Sequence, residues 1–420
     1  MTMKLKNKIK NKLKDFKIGQ LLKKKNIFIT LFLAVIVCEA IFLFIPKSSH
    51  VVDLEKYADE VIATCASSSY HPACYDQTIP QLMKYISMED AFKVTAIVQD
   101  KDRSYVYCHV LAHELSAREV DKNPAAWEDV VSRVPSGMCS NGGIHGAFQE
   151  RFRGEFFTDE QMKAVEPELN NLCEQRPTWN PTGMEQASCY HALGHLTMYV
   201  TDADMTKALG LCDALALKPD GRDFRHLCYD GAFMQIFQPL EGDDFTLIQG
   251  KQVTKDQLVG FCNKFTGEEK GSCWSEGWPL YRAEIETPQG LTDYCAKASP
   301  AERGRCFDAL IDVVTAIFNL DSNKVLAYCP HLVGDEQGKC FASAAGRMIE
   351  VDYRNIQQAV DLCSAAEKYD PNHYCFNTLL QYSSYNYKVG TPEFYNVCNT
   401  LPGEWKDKCL AEAPPQTPNE

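Results

Sequence analysis

The chain has 420 residues, 19 cysteines and a formal net charge of −13. Its 45% hydrophobic and 24% charged residues exclude wholesale disorder, and the acidic balance argues against nucleic acid as a partner. So many cysteines without one Cys-x-x-Cys pair argue against zinc ribbons, c-type haem and thioredoxin chemistry, and point to disulfides formed outside the reducing cytosol.

Residues 1–26 hold ten lysines and one acid, Asp15, and read as a basic cytoplasmic segment. Residues 27–45 are nearly all apolar and stop at Pro46. At about 1.5 Å rise per residue, that run is one bilayer crossing. The lysines precede it, so the positive-inside rule leaves the N-terminus in the cytoplasm. A cleaved signal peptide fits less well, because the run is long and no small-x-small site follows it. The expectation is a single-pass cell-membrane protein, held by residues 27–45, with its C-terminal domain in a bacterial periplasm or at the cell exterior. Residues 46–52 read as a linker. The basic head carries +9, so the remainder carries −22.

Beyond the apolar run the cysteines fall into near-neighbour pairs: Cys65/Cys74, Cys173/Cys189, Cys212/Cys228, Cys262/Cys273, Cys295/Cys306, Cys329/Cys340, Cys363/Cys375 and Cys398/Cys409. Cys108 and Cys139 pair by elimination. From Cys262 onward the pairs recur about every 34 residues, the period of a helix–turn–helix repeat. Around each pair, a short apolar-periodic stretch ends at the first cysteine and a longer one opens at the second, as in Val325–Cys329 and Lys339–Tyr353. An aromatic follows the second cysteine in seven pairs (Tyr75, Tyr190, Tyr229, Trp274, Phe307, Phe341 and Phe376) and is expected to pack over the bridge. The predicted fold is all-α: after the transmembrane helix, a disulfide-stapled array of αα-hairpins forming a solenoid. It resembles tetratricopeptide and Sel1-like repeats in architecture only, since the tetratricopeptide signature residues are absent. The domain reading is a duplicated histidine-rich half, 53–250, cysteine-paired repeats, 251–410, and a disordered tail, 411–420.

The histidines carry a second pattern. His109-Val110-Leu111-Ala112-His113 matches His191-Ala192-Leu193-Gly194-His195, each beside a cysteine. His145-Gly146-Ala147-Phe148 then matches Asp230-Gly231-Ala232-Phe233. Two histidines four apart share one helix face, which lets both imidazoles reach one ion. The duplication therefore nominates His109, His113, His145, His191, His195 and Asp230 as ligands of a divalent transition metal: zinc, iron or copper. Glu114 and Glu150 are the candidate bases or outer-shell orienters. Small residues at Ala112, Gly146, Gly194 and Gly231 are expected to clear space for the rings. Later units carry Ser275, Asp308, Ala342 and Asn377 at the place of His191 and Asp230, so they read as scaffolding. Glu276 and Asp312 read there as solvated or capping acids. The competing reading makes the histidines a structural network and the array a scaffold that holds a protein partner on its surface, without metal.

Overall fold

The computed structural model describes residues 53–152, 158–240 and 242–412. Every named element among them is helical, and only two isolated bridges, Arg176 with Trp179 and Leu217 with Asp223, pair extended backbone. Eight helices pack in succession, and we number them along the chain: α1 His109–Lys122, α2 Gly142–Arg151, α3 Gly183–Val200, α4 Arg225–Phe237, α5 Gly267–Glu276, α6 Arg303–Ile317, α7 Glu336–Val351 and α8 Tyr374–Asn386.

All nine expected disulfides form. Eight close loops of 9 to 16 residues, and Cys108–Cys139 closes one of 31. From α4 to α8 each inner helix carries the second cysteine of its pair, and an outer helix precedes it, as Met205–Ala216 precedes α4. A single hairpin buries too little apolar surface to stand alone. Each bridge removes loop entropy from the unfolded chain worth about 3 kcal/mol for these lengths.

Local sequence starts the helices where polar caps stand. Thr182 accepts from the Glu185 amide while the Glu185 carboxylate accepts from Thr182, a reciprocal box that opens α3. The aromatics after the second cysteines reach forward to the next unit: Tyr190 stacks on Phe224, Trp274 meets Tyr294, Phe341 lies on Tyr369 and Phe376 on Trp405. Four hairpins are thus joined to the segment that follows by a ring contact.

Each inner helix packs on the next, and α8 packs back on α3. The array therefore closes on itself. At the seam Tyr385 lies over Gly183, Tyr387 lies over Gly137, and Arg354 pairs with Asp100 at 2.5 Å. Inside the ring is a cavity of about 490 Å³ bordered by Tyr107, His191, Gln238, Glu276, Asp312 and Arg347. Glu276 and Asp312 are consequently not solvated caps. Burial pushes both carboxyls well above the usual carboxylate range.

The reading of a single-pass membrane protein needs correction. Among the described residues no helix is long and apolar enough to cross a membrane. Their longest helix, α3, has 18 residues, carries His191 and His195, and is spent on core packing. Residues 27–45, on which that reading rested, lie outside the described residues, as do 1–26, 46–52 and 413–420. What the described part does retain is nine disulfides, which fit an oxidising environment.

Candidate metal centre

Cys108 caps the start of α1, so its bridge to Cys139 ties the head of α1 to the head of α2. Cys139, Ser140 and Asn141 run through left-handed backbone, with φ of 50°, 47° and 55°. Three such non-glycine residues in a row are unusual and need surrounding structure to hold them. The turn aims the Cys139 carbonyl at Nδ1 of His109, 3.2 Å away. A carbonyl only accepts, so Nδ1 carries the proton and Nε2 keeps its lone pair for a ligand.

Helices α1 and α2 then cross with their backbones in contact. A Cβ on Gly146 would stand 2.1 Å from the His113 carbonyl oxygen, and one on Gly142 would stand 2.4 Å from that of His109. Helices α3 and α4 cross the same way, with Gly231 over the His191 carbonyl at 1.9 Å. The small residues act by letting helices touch, which draws the rings together.

The result is five imidazoles in one cluster. Ring centroids lie 4.8 Å apart for His109 and His113, 5.0 Å for His109 and His145, and 5.4 Å for His113 and His145. The potential ligand atoms of these three fall within 4.8 Å of one another. His145 stacks on His191 at 5.4 Å, and His191 meets His195 at 5.1 Å. Burial holds the His109 imidazole down at about 3, with the His113 ring adding to it. Burial likewise holds His145 and His191 well below 6.5, reinforced by neighbouring histidines. These rings are neutral at ordinary pH, the form that binds metals.

The other nominated residues stand elsewhere. Asp230 does not join the cluster: its carboxylate accepts from Arg305 at 2.6 Å, and burial raises its pKa. The cause is a one-turn difference in helix register. Gly146, which follows His145, sits over His113, whereas Gly231, which follows Asp230, sits over His191, the counterpart of His109. Asp230 is carried one turn past the rings. Glu114 follows His113 by one residue, about 100° round the helix. It is exposed and pairs with Arg118 at 2.6 Å. Glu150 is half-buried and does not border the cavity at the histidines.

That cavity, of about 30 Å³, is bordered by His109, His113, His145 and His195 on one side and by Tyr199, Gln235 and Asp244 on the other. About 10–15 Å³ holds one water, so an ion and a water fit. Asp244 is buried and accepts from the Tyr199 hydroxyl and, at 2.9 Å, from the Leu240 amide. Gln149 donates to the Tyr199 oxygen at 3.1 Å. Sequence reasoning did not find this polar group, whose Asp244 lies in the helix Gly242–Leu247. The hint was the acidic run of Glu241, Asp243 and Asp244.

Three imidazoles with one side open to a small polar cavity can hold a metal ion and leave a position for water. No protein family, curated protein or solved structure matches this chain.

Proposed function

We propose that this is a metal-binding protein of an oxidising environment, built on a disulfide-stapled αα-hairpin array that is tetratricopeptide-like in architecture. Its centre is His109, His113 and His145. The observation that carries this reading is the convergence of three buried imidazoles from two helices, with His109 held by the Cys139 carbonyl in the tautomer a ligand needs. Among the described residues the ligand group itself contains no carboxylate, so the donor set suits zinc or copper rather than the oxygen-seeking ions. In a tetrahedral site with bonds of about 2.0 Å, nitrogens stand about 3.3 Å apart. The three ligand atoms span up to 4.8 Å, so the rings swing inward as an ion binds. Bound zinc would supply Lewis acidity at its open position. The chain's own part is to keep His109 and His145 neutral and to offer Tyr199 and Asp244 beside the triad.

The test is elemental analysis of the full chain after refolding with zinc, copper or iron, beside the His113→Ala/His145→Ala variant. One tightly held equivalent of zinc or copper that the variant loses at this triad supports the reading. No bound metal in the folded wild-type chain refutes it, and leaves the histidines as a structural network.

A further inference from the structure

The two helix crossings are related by duplication, and their glycines give the correspondence in space. Gly142 lies over the His109 carbonyl, and Gly231 lies over the carbonyl of His191, the counterpart of His109. The residue three beyond Gly142 is His145, and the residue three beyond Gly231 is Met234. Met234 thus holds, against His191 and His195, the place that His145 holds against His109 and His113.

The contacts agree. The Met234 sulfur lies 3.3 Å from Nε2 of His191, and Nε2 of His191 lies 3.3 Å from Nε2 of His195. On the far side of the His195 ring, Nδ1 donates to the side-chain amide oxygen Oε1 of Gln235 at 2.7 Å. That bond fixes the His195 ring with Nε2 turned toward Nε2 of His191, as the Cys139 carbonyl fixes the His109 ring. The separations suit one ion. Bonds of about 2.0 Å to nitrogen set tetrahedral ligand nitrogens about 3.3 Å apart, and a sulfur ligand at about 2.3 Å widens that only slightly.

We infer that His191, His195 and Met234 form a second metal subsite, selective for a soft monovalent ion of the Cu(I) type. Two imidazoles with a thioether and no carboxylate favour a soft, polarisable cation over zinc or iron. His191 also borders the 490 Å³ cavity, so the subsite opens to the inside of the ring, while the first triad borders the smaller one. The two subsites share no ligand, and either can exist without the other. Stacking of His145 on His191 makes them neighbours.

The test uses the full chain with Cys38, the one cysteine outside the nine bridges, alkylated beforehand. Silver(I) replaces copper(I), because it needs no reductant that would threaten the disulfides. Expected is one tightly bound silver with sulfur among its scatterers in X-ray absorption. Met234→Leu, a near-isosteric change, should remove that sulfur signal and weaken silver binding at least tenfold, leaving zinc at His109, His113 and His145 untouched. His145→Ala should do the reverse. Silver binding by Met234→Leu with wild-type affinity, or no sulfur scatterer in the wild-type complex, overturns the subsite. Loss of zinc binding alone, with silver and its sulfur retained, overturns only the first centre.

Discussion

Replacing Gly146 by alanine adds one methyl group at the tightest point of the α1–α2 crossing. The new Cβ would stand 2.1 Å from the His113 carbonyl oxygen, and ordinary contact begins at 3.4 Å, so the two backbones must part by about 1.3 Å. His145 precedes Gly146, and His113 supplies the opposing carbonyl, so that parting falls directly on the ligand set. Metal sites tolerate errors of about 0.2 Å in ligand distance, whereas overpacking costs the fold about 1–3 kcal/mol. Gly146→Ala should therefore lose bound metal by a larger margin than it loses stability. The same chemical change at Gly210 is the control: it lies in the helix Met205–Ala216 with nothing within 4 Å of its Cβ position. There alanine should stabilise by about 0.5–1 kcal/mol and leave metal content alone. Urea unfolding with elemental analysis of the three proteins reads both quantities. Gly146→Ala with wild-type metal content and an unchanged unfolding midpoint would show that the crossing is not as tight as described.

Asp230→Asn should keep the full metal complement, because Asp230 faces Arg305, and a loss of metal would place that carboxylate back in the site. Arg305→Ala should destabilise by about 3 kcal/mol in urea melts, leaving Asp230 half-paired beside buried Glu276; an unchanged midpoint would contradict that pairing. For the metal-free chain, acid should weaken the fold well above the carboxylate range. His109 takes its proton only near about 3 when folded, against 6.5 ordinarily, so between these values the unfolded chain binds the extra proton and stability falls as pH drops. The slope is about 1.4 kcal/mol per pH unit for each such histidine; the raised carboxyls of Glu276 and Asp312 slope the other way, so the test is the difference between wild type and His109→Gln, and an identical pH dependence of the two from pH 7 to pH 5 would count against a neutral, buried His109. Replacing Cys108 and Cys139 together by serine should cost about 3–4 kcal/mol for the 31-residue loop and lower metal affinity as well, since the bridge aims the Cys139 carbonyl at His109; stability lost with affinity unchanged would separate the two roles.

The cysteine arithmetic was legible because it is local. Bridges closing loops of 9 to 16 residues follow from near-neighbour spacing, and helix spacing places His109 with His113 and His191 with His195. What one helix offers to another was not legible. Asp230 matches His145 in sequence, yet a one-turn slip at the α3–α4 crossing replaces it by Met234, a residue with no signal of its own in the chain. Glu114 looked like a base beside His113, but adjacent positions on a helix diverge by about 100°. Closure of the array, by α8 returning to α3, depends on small rotations summed over many repeats. No single repeat contains that information.

The most direct test of the centre is anomalous diffraction from crystals of the zinc-soaked protein, recorded on both sides of the zinc absorption edge. A bound ion predicts a peak within bonding reach of His109, His113 and His145, with His109 coordinating through Nε2 while Nδ1 keeps its bond to the Cys139 carbonyl. A well-ordered histidine cluster with no anomalous peak among those rings would contradict it.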